Sequence, residues 1–168
     1  SQSTKVDGLV YQDNRLVLVE GKIYLWEEEL ELLELNQLIE VPIERIETDG
    51  ERLYLYGFGR LFVLFEGRLT EIRIDGVSHI FNFTFSSTGE LWLTDPWTLS
   101  LDSSLSATNY DARWPADDLF FDGKHLWIQS SGELWSQREG QEISLDFDAP
   151  VVQIKGSSKD GRLWIGTE

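Results

Sequence analysis

Residues 43–76 read IERIETDGERLYLYGFGRLFVLFEGRLTEIRIDG, and this stretch decides the fold. Residues 43–48 alternate weakly and predict a first strand. Asp49-Gly50 is turn chemistry, and Arg52-Leu53-Tyr54-Leu55-Tyr56 after it is rich in side chains that suit a pleated sheet. Gly57-Phe58-Gly59 reverses the chain into Leu61-Phe62-Val63-Leu64-Phe65. Glu66-Gly67 then turns it into Leu69-Thr70-Glu71-Ile72-Arg73-Ile74, apolar and polar at period two. Asp75-Gly76 closes a unit of four strands.

The unit recurs. Arg15-Leu16-Val17, Arg52-Leu53-Tyr54, Glu90-Leu91-Trp92, His125-Leu126-Trp127 and Arg162-Leu163-Trp164 repeat one short phrase, and their leucines are spaced by 37, 38, 35 and 37 residues. Asp13-Asn14, Asp49-Gly50, Thr88-Gly89, Asp122-Gly123 and Asp160-Gly161 place a turn just upstream of each. A steady period of strand-type units predicts an all-β repeat of four-stranded antiparallel blades, a β-propeller-type architecture with about four and a half blades. The expected blades cover residues 5–40, 41–76, 77–116 and 117–148, with a partial blade at 150–168. They form a single propeller domain or a fragment of a larger one. The register leucines and their aromatic neighbours are expected in the cores between blades. Positions nineteen beyond the leucines (Leu35, Ile72, Tyr110 and Leu145) are expected on outer strands. The acidic run at residues 27–35 fits either a short helix or an outer strand with a bulge; the register of Leu35 favours the strand. Residues 103–118 read as a weak outer strand followed by a long loop.

Thirty acidic residues stand against fourteen basic ones, a net charge of −16. Such a chain repels phosphate backbones and anionic lipid surfaces, which argues against nucleic acid and membrane-surface partners. Its apolar runs are far shorter than the ~20 residues a membrane helix needs, so no direct insertion is expected in this segment. The absence of cysteine removes disulfides, thiolate nucleophiles and cysteine metal sites together.

Ser158-Lys159-Asp160-Gly161-Arg162-Leu163-Trp164-Ile165-Gly166-Thr167 resembles the signature of the two-component regulator propeller repeat, an Asp and Gly followed by Leu-Trp, a small apolar residue and Gly-Thr. Asp122-Gly123-Lys124-His125-Leu126-Trp127-Ile128 is similar but continues with Gln129-Ser130. Ser87-Thr88-Gly89-Glu90-Leu91-Trp92-Leu93-Thr94 matches in part, and the first two copies keep the hydrophobic skeleton alone. The resemblance implies a non-catalytic sensor module of a bacterial signalling protein. It would be periplasmic or otherwise extracytoplasmic, tethered through a membrane helix to a cytoplasmic output domain. The sialidase-like propeller is the alternative family, but Ser158-x-Asp160-Gly161 departs from its Ser-x-Asp-x-Gly-x-x-Trp spacing. Arg15, Arg52 and Arg162 occupy one repeat position and do not form a separate carboxylate-binding cluster.

Little in the chain points to catalysis. No cofactor or metal motif is present, and Gly57-Phe58-Gly59 lacks the helix a phosphate loop requires. His125 fills a slot held by Arg or Glu in other copies. Asp117 with Asp118, or Asp146 with Asp148, has the composition of a glycosidase acid–base pair, yet adjacent carboxylates are expected by chance in so acidic a chain. Three function classes follow: a ligand-binding sensor, a protein–protein interaction scaffold, or a carbohydrate-active enzyme. In propellers, the second-to-third-strand loops and the blade-to-blade loops emerge on one face, which commonly carries the ligand. That rule selects Phe58, Arg60 and Trp97 on the former and Tyr110, Arg113 and Trp114 on the latter. Aromatic faces beside polar groups suit a small molecule or oligosaccharide; the alternative is that Trp97 and Trp114 plug the core. A homo-oligomer formed through open blade edges is a further expectation.

Overall fold

In the computed structural model the residues described are all except 1–5, 87–88, 96, 103, 106, 123, 139–140 and 158–161. For 97, 107–115, 137–138, 141–143 and 156–157 the backbone alone is described. The chain divides into two units, Ser1–Asp75 and Gly76–Glu168, each described by itself.

The first unit holds two four-stranded antiparallel sheets. The first is β1 (Val6–Tyr11), β2 (Asn14–Val19), β3 (Lys22–Trp26) and β4 (Leu30–Leu32); the second is β5 (Arg45–Thr48), β6 (Leu53–Gly57), β7 (Arg60–Phe65) and β8 (Arg68–Ile72). Each sheet runs in chain order, strand beside next strand. Four of the turns are two-residue hairpins with positive φ at both central positions: Gln12-Asp13, Glu20-Gly21, Phe58-Gly59 and Glu66-Gly67. These are type I′ dihedrals, whose twist matches that of the strands they join. Leu9, Tyr11, Leu16, Leu18 and Ile23 of the first sheet pack with Ile46, Leu53, Leu55 and Phe62 of the second in one core. Burying each such side chain stabilises by roughly 1.5–3 kcal/mol. The Tyr11 hydroxyl adds hydrogen bonds to the carbonyls of Glu51 and Leu64 across this junction.

The second unit stacks three sheets. They are β9 (Asn82–Phe85) to β12 (Ala107–Pro115) through β10 (Leu91–Asp95) and β11 (Trp97–Leu101); β13 (Asp118–Phe121) to β16 (Gln141–Leu145) through β14 (Leu126–Ser130) and β15 (Glu133–Arg138); and the pair β17 (Val151–Ser157) and β18 (Arg162–Thr167). Trp92 packs toward the Ala116, Leu119, Leu126 and Ile128 core, and Trp127 toward the core of Leu134, Val151 and Ile154. A polar seam also joins the third and fourth sheets. The Phe121 N–H donates to the Thr84 hydroxyl at 3.2 Å, and the Asn82 amide donates to Asp118. The architecture is therefore all-β, built of propeller-type blades.

Three sequence expectations need correction. First, Leu16 is not the structural counterpart of Leu53. Aligned on the second-to-third-strand turns, Gly21 matches Gly59, which pairs Leu16 with Tyr54 and Val17 with Leu55. A one-residue slip exchanges the faces of a strand, so Leu16 points to the second sheet while Leu53 points back to the first. The phrase is an unreliable ruler because β1–β2 turns in two residues, whereas β5–β6 uses the four residues 49–52. Second, Leu35 is not on an outer strand. The strand ends at Leu32 and a 3-10 turn, Glu34–Gln37, follows. Asn36 explains the break: its amide donates to the Ile23 carbonyl at 2.7 Å and accepts from the Ile23 N–H at 2.9 Å. One side chain thus takes over the place of the outer strand. Third, no long loop precedes Asp118. β12 runs nine residues against five in β11, with two register shifts that absorb the excess. Pro115 ends it harmlessly, since β12 is an edge strand.

The aspartate of the turn phrase has a structural task that turn chemistry alone does not reveal. Asp122 Oδ1 accepts the N–H groups of Lys124 and His125, while Oδ2 accepts the Trp127 indole N–H at 2.8 Å and lies 3.1 Å from His125 Nδ1. Asp49 does the same in the second sheet, accepting from the Glu51 and Arg52 N–H groups and from the Tyr54 hydroxyl at 2.8 Å. The carboxylate closes the turn and orients an aromatic of the second strand, which in the case of Trp127 faces the next sheet of its unit.

Candidate functional site

The second-to-third-strand turns and the blade-to-blade connections meet on one side in each unit. Ile43, after Pro42, donates its N–H to the Gly21 carbonyl at 3.0 Å; Val151, after Pro150, donates to the Gly132 carbonyl at 2.8 Å. Proline sits directly on the turn, and a Cβ on Gly132 would lie 3.0 Å from Pro150 Cβ. The Ser131-Gly132 turn carries positive φ at both residues.

In the second unit this junction opens into a cleft of about 550 Å³ lined by Asp117, Asp118, Gln129, Ser131, Gly132, Pro150, Val151, Val152, Gln153 and Glu168. Its walls are held by hydrogen bonds. The Asp117 N–H donates to the Gln129 carbonyl, and Asp117 Oδ2 accepts the Ser131 N–H at 2.8 Å. Asp118 Oδ1 accepts the Leu119 N–H and the Asn82 amide. Buried Gln129 donates to the Val151 carbonyl at 3.1 Å. Three carboxylates and no basic side chain line the cleft, so it offers acceptors to hydroxyl or ammonium groups and repels anions. Asp117 and Asp118 both serve as acceptors for neighbouring N–H groups, which is a positioning role. Among the described residues, no group of three or more His, Asp or Glu is placed to hold a metal ion.

The residues selected from sequence are distributed differently. Phe58 is the tip of the β6–β7 turn, at φ 52° and 62% exposed. Arg60 is not in the loop but begins β7. Its Nε bonds Glu71 Oε1 at 2.6 Å, and its guanidinium lies 5.1 Å from the centre of the Phe62 ring. Glu71 also takes Arg73 at 2.5 Å. The hydrogen bond from Arg60, aided by Arg73 and opposed by burial, holds the Glu71 carboxyl at about 2. Trp97 begins β11 opposite Pro115, and Tyr110, Arg113 and Trp114 lie along β12 rather than in a loop. The backbone thus brings Trp97 and Trp114 to one end of the third sheet, with Tyr110 farther along, opposite Leu99. The side chains of these four lie outside the described residues. Phe58 and Arg60 share one hairpin in the first unit, and the other four belong to the second. Of the cleft residues, the sequence reading singled out Asp117 and Asp118 alone, as an acid–base pair it set aside; the same loop rule applied to Ser131-Gly132 in the fourth copy leads to the rest.

No family model matches the sequence, and no curated protein matches it. Solved structures do match. PorZ, an essential bacterial surface component of the type-IX secretion system of Porphyromonas gingivalis, is 15% identical over 95% of this chain and 26% of its own, with a TM-score of 0.65. The extracellular domain of a hybrid two-component system from B. thetaiotaomicron is 12% identical over 99% of this chain and 28% of its own, at 0.67. The acylaminoacyl peptidase of Pyrococcus horikoshii is 19% identical over 84% and 27%, at 0.59. The chain thus spans about a quarter of the length of each. A surface component, an extracellular domain and a peptidase share these folds, so the likeness is one of architecture: this chain is built of propeller-type blades.

Proposed function

We propose that this chain is a non-catalytic, ligand-binding sensor module of an extracytoplasmic bacterial signalling protein, and that its ligand is a small hydroxyl-rich molecule, a carbohydrate above all. The observation that carries the reading is the cleft at the Ser131-Gly132 turn, where carboxylates, amides and backbone carbonyls converge on the turn side of the blades. Two-component regulator propellers, which the repeat phrase resembles, supply the signalling context. The extracellular domain of a hybrid two-component system among the similar folds is in keeping with it. Carboxylate and amide acceptors suit sugar hydroxyls. Among the described residues no helix is long and apolar enough to cross a membrane, so a membrane anchor would lie outside them.

Isothermal titration with a panel of neutral and amino-oligosaccharides tests the proposal. Binding is expected, weakened at least tenfold by Gln153→Ala or Asp118→Asn and unchanged by Phe58→Ala, which lies in the other unit. A panel without heat or fluorescence response overturns the carbohydrate reading. Binding untouched by the cleft variants moves the site elsewhere.

A further inference from the structure

The chain contains five Asp-Gly steps, at 7–8, 49–50, 75–76, 122–123 and 160–161. Such a step carries a reaction of its own, because no side chain shields the glycine nitrogen. That nitrogen attacks the aspartate Cγ, water leaves, and a five-membered succinimide closes. Water then adds back. Opening at the main-chain carbonyl leaves the chain running through Cβ, which is isoaspartate, and opening at the other carbonyl restores aspartate. One water leaves and one enters, and nothing is oxidised or reduced. The reaction needs a carboxyl free to swing, an uncommitted N–H and a backbone not held extended. The fold withdraws these freedoms selectively. Asp7 and Gly8 lie within β1, paired with Leu18 and Val17 of β2, so the ladder keeps them extended. The Asp49 carboxylate accepts from Glu51, Arg52 and Tyr54, and the Gly50 N–H donates to the Thr48 hydroxyl at 3.0 Å. Asp122 is clamped by Lys124, His125 and Trp127. Residues 160–161 lie outside the described residues. Asp75-Gly76 differs from all of these. It forms a turn after β8, with both residues exposed, and Gly76 at φ +84° has open space where a Cβ would stand. Among the described residues, neither the Asp75 carboxylate nor the Gly76 N–H makes a hydrogen bond.

We propose that Asp75-Gly76 is a site of spontaneous isoaspartate formation, and hence a substrate for carboxyl methyltransferases that recognise isoaspartate. The clamps on Asp49 and Asp122 protect the equivalent steps of their own turns. The turn phrase of the repeat thus brings a chemically labile dipeptide, and the hydrogen bonds that close the turn also silence it. Freeing a clamped carboxylate breaks at least one charge-assisted bond, so conversion at Asp49 and Asp122 should be about tenfold or more slower than at Asp75. Asp75 ends the first unit and Gly76 begins the second, so isomerisation adds one carbon to the main chain at the link between them. The carboxylate survives, and the mass and the net charge of −16 are unchanged. The site is independent of the ligand reading.

Ageing the 168-residue chain at neutral and mildly acidic pH tests this, with one sample native and one held unfolded in urea. Isoaspartate is read by methyl transfer from S-adenosylmethionine with an isoaspartate methyltransferase. It is located by electron-transfer fragmentation of the peptides that carry Asp49, Asp75 and Asp122. In the native sample, conversion at Asp75 should exceed that at the other two about tenfold or more. In urea the three should convert at similar rates, because the clamps are gone. Asp75→Asn should speed the same succinimide and release ammonia, and Asp75→Glu should abolish conversion at this step. Native conversion at Asp49 or Asp122 as fast as at Asp75 overturns the proposal. So does a native Asp75 that stays unconverted over the time in which the unfolded chain converts.

Discussion

At the scale of single residues, the aspartate clamp is the part most open to measurement. Asp122 is buried, with four hydrogen-bonding groups converging on its carboxylate. Burial raises its pKa, but the bonds from Trp127, His125 and Lys124 outweigh it and the net shift is downward. Asp122→Ala leaves these donors unsatisfied and should cost about 2–3 kcal/mol in urea unfolding. Asp122→Asn should cost nearly as much if its NH₂ is left facing the Trp127 indole N–H. Trp127→Phe keeps most of the packing and should lose about 1 kcal/mol, whereas Trp127→Ala should lose about 3–5 kcal/mol. Glu71 sets a pH dependence. Its folded pKa of about 2 lies below the ordinary 4.5, so its contribution to stability is complete above pH ~4.5 and fades as pH falls toward ~2. Melting temperatures of wild type and Glu71→Gln should therefore converge across that window. A constant gap down to the lower limit would refute the Arg60–Glu71–Arg73 arrangement.

At the scale of elements, glycines separate close packing from turn geometry. A Cβ on Gly57 would overlap the Pro42 carbonyl oxygen, whereas Gly67, at φ +73°, has open space around it. Gly57→Ala should destabilise by about 1–3 kcal/mol or more through overpacking, and Gly67→Ala by about 1–2 kcal/mol through left-handed backbone strain alone. A smaller effect at Gly57 than at Gly67 would contradict the packing of the β5 approach against β6. The second copy was legible in the sequence because strand residues alternate between unmistakable turns: Phe58-Gly59 and Glu66-Gly67 both became the hairpins they predict. The first copy was less so. A ruler laid on leucines cannot register that β1–β2 turns in two residues where β5–β6 takes four. Nor could propensity anticipate Asn36, a single side chain that substitutes for a strand by bonding both groups of Ile23. The cleft shows the same division. The rule for which loops share a face held within each unit, but choosing among copies by aromatic content led to Phe58 and Trp97 and away from the quieter Ser131-Gly132 turn.

At the scale of the molecule, cores lie between sheets and not within one: first with second, third with fourth, fourth with fifth. A single four-stranded blade has too little core to stand alone, so stability passes from neighbour to neighbour. Far-UV circular dichroism should accordingly show an all-β spectrum, the 3-10 turn at Glu34–Gln37 being too short to register. The most direct test of face-to-face blades is NMR of the isotope-labelled chain. Cross-strand contacts are expected between Gly8 and Val17 and between Val17 and Tyr24, with the methyl groups of Leu16 and Leu18 reaching the Ile46, Leu53, Leu55 and Phe62 core. Val17 methyls in that core, with Leu16 turned away from it, would contradict the register and the stacking built on it.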